Sequence, residues 1–326
     1  MSSKVVVLGA VDPSAITILT QRPDIECQIV EDVSEPNLCR VVRDADGILV
    51  RTTTISETVI QHATRLKVVS RHGVGFDNID VNALTKKGIP LALAVGSNDG
   101  AVSEQAMFLI LALSKQGFLY HEAVHKNQFD FRQRPSSISL EGKSILIVGF
   151  GRTGSQVATR AGAFKMKVYA LDPYIDPSLI ERTGVTCVRR LSEILPEIDM
   201  LTLHCPLSDE TRYMINKTTL AQMKHSAFII NTARGGIVNE GDLFEALRNH
   251  QIAGAGLDVF EEEPPRKDNP LLHLPNVVLS PHCAGVTHES LVKMGQISAI
   301  NVLAGLDGCL TDDVLANPES LRRWGN

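Results

Sequence analysis

Ser144-Ile-Leu-Ile-Val-Gly149-Phe-Gly151-Arg152-Thr153-Gly154, with Asp172 standing 18 residues beyond it, is the stretch that decides the fold. The apolar run reads as a strand buried on both faces, the glycines as a turn, and the residues from Arg152 onward as a helix start. Gly149 permits the tight turn, Gly151 lets a pyrophosphate approach the backbone, and Gly154 lets the helix pack closely on the strand. The helix N-terminus then offers free N–H groups and the positive end of its dipole to phosphate oxygens. Lys167-Val-Tyr-Ala-Leu-Asp172 supplies the next strand and ends on a carboxylate. That group can accept both adenosine ribose hydroxyls and would repel a 2′-phosphate. A glycine triplet alone is often just a turn. Strand, helix and acid in register point to a dinucleotide site that prefers NAD over NADP.

Outward from this unit, the bulk properties narrow the class. A chain of 326 residues is long enough for two domains and a large core. Apolar residues make up 44% and charged residues 21%, as in ordinary soluble proteins. The formal charge of −5 gives no electrostatic footprint for nucleic acid or an anionic membrane, so neither is expected as a partner. The apolar run 106–113 is too short to span a bilayer, and the first residues read as a strand and its loop rather than a signal peptide. Cys27, Cys39, Cys187, Cys205, Cys283 and Cys309 are scattered without a Cys-x-x-Cys pair. Free thiols in a reducing cytoplasm are therefore expected, with no metal site and no disulfide scaffold.

Short β-branched strands alternate with helical stretches from end to end, the pattern of parallel α/β sheets. In the first third, strands are expected at 4–8, 28–31, 47–50, 67–70 and 91–94, with a helix at 82–87 closed by Gly88 and Pro90. A second series is expected at 144–148, 167–171, 186–188, 200–203, 227–231, 254–258 and 277–280. Between the two series, residues 101–123 read as one long apolar helix crossing from one domain to the other. A last long helix, 289–306, is expected to return to the first domain. The expected boundaries are 1–99 plus 286–326 for one domain and 100–285 for the inserted one. Repeats and low-complexity segments are absent.

Three polar residues stand just after strands of the second series: Arg234 after Phe228-Ile-Ile-Asn-Thr-Ala233, Glu263 after the strand ending at Asp258, and His282 after Val277-Val-Leu-Ser-Pro281. Strand C-termini of a parallel sheet share one edge, and ligands bind in the crevice outside it. Hydride transfer to a ketone leaves negative charge on oxygen and needs a proton donor with a pKa near neutrality, which suits His282. A carboxylate on its other ring nitrogen, here Glu263, would fix the tautomer and favour the imidazolium. A guanidinium, here Arg234, can hold a substrate carboxylate and polarise a carbonyl. On spacing alone the bland reading stays open, because Glu261 and Glu262 beside Glu263 would also make a solvated charge cluster.

Together, these pieces resemble the D-isomer-specific 2-hydroxyacid dehydrogenase family over nearly the full length. The matching segments are Val50-Arg51-Thr-Thr-Thr-Ile, Arg71-His-Gly73-Val74-Gly75-Phe-Asp77-Asn-Ile-Asp80, Asn98-Asp-Gly-Ala-Val-Ser-Glu104 and Gly149-Phe-Gly-Arg-Thr-Gly154. They continue with His204-Cys-Pro206-Leu, Asn231-Thr-Ala-Arg234-Gly-Gly, Gly256-Leu-Asp258-Val-Phe-Glu-Glu-Glu263-Pro and Pro281-His282-Cys-Ala-Gly285.

The resemblance implies two doubly wound parallel-sheet α/β domains, a Rossmann NAD-binding domain inserted into a flavodoxin-like substrate domain. It places Arg234, Glu263 and His282 on the family's catalytic positions. Gly149, Gly151, Arg152, Thr153, Gly154, Asp172, Cys205, Pro206, Thr232 and Asp258 fall on its NAD-contacting positions, with Asp258 facing the nicotinamide carboxamide. It also implies that the Gly73-Val74-Gly75 turn presents N–H groups to a substrate carboxylate, as glycine-turn anion nests do. Arg51 and Arg71 would meet a phosphate or sulfonate on the substrate, although surface arginines are the default for such residues. Similar enzymes act on 3-phosphoglycerate, hydroxypyruvate, glyoxylate or sulfonated hydroxy acids, and a homodimer is implied with residues 101–123 as its surface. The cleft between the domains is expected to close over the substrate and expel water. Gln105 stands where many relatives carry His, which implies an altered helix-end contact without catalytic loss. The sequence ends 44 residues after His282, so the C-terminal regulatory domain of many serine-pathway phosphoglycerate dehydrogenases is not expected. An NAD(H)-sensing, corepressor-like binding protein is the rival from another class, and formate dehydrogenase the rival enzyme.

Overall fold

The computed structural model describes residues 2–133 and 136–323, in two compact units. Unit 1 takes residues 1–98 and 286–326 of the chain, and unit 2 the intervening 99–285. Met1 and residues 324–326, assigned by the sequence to the first domain, lie outside the described residues.

Unit 1 alternates β1 (Ser3–Leu8), α1 (Pro13–Thr20), β2 (Ile25–Val30), α2 (Glu35–Val41), β3 (Gly47–Val50), α3 (Glu57–His62), β4 (Val68–Arg71), α4 (Val81–Lys87) and β5 (Leu91–Leu93). The strands pair in parallel in the order β2-β1-β3-β4-β5, the flavodoxin-like doubly wound arrangement. β2 begins at Ile25, three residues before the expected Gln28. Its pairing with β1 extends to Ser3↔Ile25, so partner strand rather than local β-branching sets its start. Local chemistry fixes the helix ends. Asp12 caps α1 by accepting from Ser14 N, with Pro13 in the first turn, and Gly88 closes α4 at φ +71°.

Unit 2 opens with α5 (Asp99–Lys115) and α6 (Gly117–His125), followed by β6 (Ser144–Val148), α7 (Arg152–Ala163), β7 (Lys167–Leu171), α8 (Pro177–Glu181) and β8 (Thr186–Cys187). It continues through β9 (Met200–Leu203), α9 (Lys217–Leu220), β10 (Phe228–Asn231), α10 (Glu240–Arg248), β11 (Gly254–Leu257) and β12 (Val277–Leu279). The sheet order is β12-β11-β10-β9-β6-β7-β8, all parallel, a Rossmann sheet with one further strand. Its central strands β6, β9 and β10 are buried throughout, as helix-covered parallel strands must be.

The single helix expected over 101–123 is instead two. Gln116 adopts a left-handed conformation at φ +53°, its N–H and Nε2 both donating to Leu113 O, and the chain restarts at Gly117. The chain then returns to unit 1 as α11 (His288–Leu306). There Ala299 and Val302 pack with Val5, Val7, Leu49 and Val68 in one apolar cluster. Among the described residues no helix is long and apolar enough to cross a membrane, and no His, Cys, Asp and Glu cluster is placed to hold a metal ion. The six cysteines carry free thiols.

Candidate active site

The glycine turn after β6 shows three separate reasons for glycine. Gly149 sits at φ +89°, and a Cβ there would lie 2.7 Å from the His204 and Cys205 backbone after β9. A Cβ on Gly154 would lie 2.0 Å from Gly149 O, so only glycine lets α7 dock on its own turn. Gly151 is different, since a Cβ there would meet nothing within 4 Å. Its missing side chain leaves the backbone open beside the helix start, where α7 has no side-chain cap and Arg152 and Thr153 form the first turn. Asp172, just past β7, is oriented by this turn: Oδ2 accepts from Phe150 N at 2.8 Å and Oδ1 from Tyr174 N at 2.9 Å. Across the sheet, Thr232 is buried and its Oγ1 has no hydrogen-bond partner among the described residues. Past the end of β9, Cys205 stands half-buried and Pro206 exposed, burial pushing the Cys205 thiol up to about 11. An open-faced glycine, an uncapped helix, an oriented carboxylate and an unpaired buried hydroxyl fit a dinucleotide laid across this edge. Gly151, Arg152, Thr153, Asp172 and Thr232 would hold it.

Of the three polar groups expected to meet, His282 and Glu263 are in direct contact, and Arg234 is near enough for its charge to act on both, its Nη1 donating to Ala233 O at 2.7 Å. His282 Nδ1 lies 2.5 Å from Glu263 Oε2. Glu263 Oε1 accepts from Phe260 N at 3.0 Å, which leaves the carboxylate facing the ring. The Glu263 hydrogen bond raises the His282 pKa above its ordinary value; burial and the Arg234 charge oppose it without prevailing. Burial would raise Glu263, but hydrogen bonds from His282 and Phe260 N, with the positive charges nearby, hold it below the usual carboxylate value. Asn231, buried at the end of β10, shapes the arginine loop, its Oδ1 accepting from Ala233 N and its Nδ2 donating to Arg234 O. The arginine and glutamate loops touch at Gly235, where a Cβ would fall 1.9 Å from the Phe260 carbonyl carbon.

Sequence reasoning missed several supports. Glu240 Oε1 accepts from Glu261 N at 2.6 Å and Glu261 Oε1 accepts from Glu240 N at 2.7 Å, a reciprocal clasp between α10 and the glutamate loop. Glu261 is thus engaged rather than part of a merely solvated cluster. Asp258, expected from the resemblance to face the nicotinamide carboxamide, is fully buried with both carboxylate oxygens engaged, accepting from Ser280 Oγ, Cys283 N and Ala284 N, a role the sequence did not signal. The only signal for the clasp was a Glu directly after the helix-capping Asn239.

In unit 1, the residues after β3 and β4 form a second polar edge. Arg51 Nη1 donates to Ala10 O at 3.3 Å and Arg71 Nη1 donates to His72 O. Gly73 turns at φ +140°, its N–H bonded to Arg71 O, while the N–H groups of Val74 and Gly75 donate to no described backbone carbonyl. Two successive open N–H groups beside two arginines suit an anion.

Residues 107–284, more than half of the chain, match the model for the D-isomer specific 2-hydroxyacid dehydrogenase NAD-binding domain. The chain belongs to that family. It is 39% identical over 316 residues to a D-3-phosphoglycerate dehydrogenase of Methanocaldococcus jannaschii, covering 97% of this chain and 60% of the relative. To that of Archaeoglobus fulgidus it is 38% identical over 307 residues, covering 93% of this chain and 58% of the relative. The chain therefore spans about 60% of the length of these relatives. Among solved structures, D-lactate dehydrogenase from Aquifex aeolicus with NAD and lactic acid superposes at a TM-score of 0.84. It is 29% identical, covering 96% of this chain and 99% of that one.

Proposed function

We propose that this dehydrogenase-family protein is an NAD-dependent oxidoreductase acting at C2 of a D-2-hydroxy acid or the matching 2-keto acid, of the 3-phosphoglycerate, hydroxypyruvate or glyoxylate type. The observation that carries the reading is the 2.5 Å bond between His282 Nδ1 and Glu263 Oε2, on one sheet edge with Arg234 and the dinucleotide turn. When bound, the dinucleotide supplies or takes up the hydride. With Nδ1 committed to Glu263, the His282 ring offers Nε2, which gives its proton to the carbonyl oxygen as negative charge grows there. In the oxidative direction the same nitrogen takes the hydroxyl proton. Glu263 holds the tautomer and stabilises the imidazolium, and Arg234 holds the substrate carboxylate and polarises the carbonyl. Arg51, Arg71 and the Gly73–Val74–Gly75 turn receive the anionic groups of the substrate.

Formate oxidation generates no alkoxide to protonate and would leave the Glu263–His282 pair without a task. The same reading makes the protein a cytoplasmic homodimer. Phe108 and Phe118, about half exposed and stacked edge to face at 6.2 Å, together with exposed Leu119 and Val124, support an α5–α6 contact surface. The test of function is NADH oxidation against hydroxypyruvate, glyoxylate, phosphohydroxypyruvate, 3-sulfopyruvate and pyruvate, with NADPH as control. One clear substrate with NADH supports the reading and identifies what Arg51 and Arg71 bind. No turnover of any, alongside tight NADH binding, would shift the assignment to a sensing protein.

A further inference from the structure

The segment that carries His282 is gripped from one residue. Asp258 O accepts from His282 N at 2.7 Å, Oδ1 accepts from Ser280 Oγ at 2.5 Å and Cys283 N at 3.0 Å, and Oδ2 accepts from Ala284 N at 2.9 Å. His282 itself sits at φ +50°, a left-handed conformation that a residue with a Cβ resists. The hydrogen bonds on either side of it hold that conformation, and with it the aim of Nδ1 at Glu263. The Ser280 hydroxyl has one proton, already given to Asp258, so its oxygen can only accept from elsewhere. Gln105 on α5 meets that need, its Nε2 lying 3.1 Å from Ser280 Oγ. The opposite amide orientation would set two acceptors against one proton, so the donor assignment follows from the proton count.

We propose that Gln105 is a positioning residue for His282, acting through Ser280 and Asp258: it donates into Ser280 Oγ, commits the serine proton to Asp258, and so holds residues 280–284 in the working conformation. Its catalytic consequence rests on the dehydrogenase reading above. The family resemblance implies a changed helix-end contact at Gln105 without catalytic effect, and the direction of donors along this chain argues otherwise. Of the charged neighbours, Asp258 faces Ser280, and Glu104 beside Gln105 is turned to Arg160 on α7 at 3.3 Å.

The test compares Gln105→Leu, Gln105→Glu and Gln105→His in the full chain. The readouts are the His282 pKa, by NMR of histidine-labelled protein assigned with His282→Gln, and kcat and KM across pH. Gln105→Leu leaves the Ser280 acceptor unfilled, which lowers the His282 pKa and cuts kcat by roughly threefold to tenfold with KM for NADH little changed. Gln105→Glu keeps size but puts two carboxylates in competition for one proton. It should lose more than Gln105→Leu, on the order of tenfold or more, and recover relative to wild type toward about pH 5, as the introduced carboxyl is protonated and becomes a donor. Gln105→His can donate and should stay near wild type. The proposal is overturned if both readouts are unchanged in Gln105→Leu and Gln105→Glu. It is also overturned if Gln105→Leu is the worse of the two, or if the ratio of Gln105→Glu to wild type is flat with pH. Should wild type turn over no keto acid while the His282 pKa responds as stated, the function fails and the positioning chain stands. An unmoved pKa in an active protein means the reverse: the function stands and the positioning chain fails.

Discussion

His72 and His282 each stand just past the C-terminal end of a parallel strand, one in each unit, and their surroundings drive them in opposite directions. His72 is buried to 1% exposure, and neither ring nitrogen has a hydrogen-bond partner among the described residues. Burial pushes its pKa down to about 4, and the charges of Arg51 and Arg71 add to the effect. His282 keeps about half its side-chain surface and has Glu263 at 2.5 Å, and that hydrogen bond raises its pKa. Residue type and place at a strand end are shared. A facing carboxylate separates an imidazole favoured in its protonated form from one held neutral.

The largest effect that tests this contrast is on turnover. His282→Gln should lower kcat by about a hundredfold or more while NADH affinity is retained, and His72→Leu should change kcat by less than about threefold. Equal losses at the two positions, measured by steady-state kinetics and NADH titration, would erase the distinction. A smaller effect comes from Glu263→Gln. Without the anion, His282 titrates lower, so keto-acid reduction, which on the proposed mechanism needs the imidazolium, should fail at a lower pH than in wild type. An unmoved pH profile would mean that Glu263 does not set the proton donor.

The smallest effect is on stability, and here the two histidines have opposite signs. His72 has a folded pKa below its unfolded value of 6.5, so the unfolded chain takes up the proton first and stability is lost as pH falls from about 6.5 toward 4. The contribution of His282 is fully present below its unfolded value and is lost as pH rises through the raised folded one. Relative to wild type, His72→Leu should therefore be about 1–2 kcal/mol better off at pH 5 than at pH 7, read from urea unfolding at both pH values. A variant that keeps the wild-type acid sensitivity would clear His72 of responsibility.

What the sequence revealed and what it hid follow from the range of the forces involved. Strand positions, the glycine turn and the strand-end places of Arg234, Glu263 and His282 are written in local apolar runs and short spacings. The break at Gln116 was hidden because its neighbours stay apolar on both sides, and glutamine carries no turn signal of its own. β2 was misplaced because Ile25 joins the sheet through its partner on β1. The Glu240–Glu261 clasp and the Gln105–Ser280–Asp258 chain join residues between 21 and 175 positions apart, and no local pattern announces a hydrogen bond over such a span. His72 escaped notice because a histidine next to Arg71 reads the same in sequence whether it is buried or exposed.

The contact at Gly235 has a consequence for how this protein can change over time. Because no side chain fits between that glycine and the Phe260 backbone, the arginine and glutamate loops cannot change size independently where they meet. An insertion or bulky replacement in one would have to arrive together with a matching change in the other. Lineages changing by single mutations would find Gly235 closed to them. Their variation should collect instead in segments that bear no such contact.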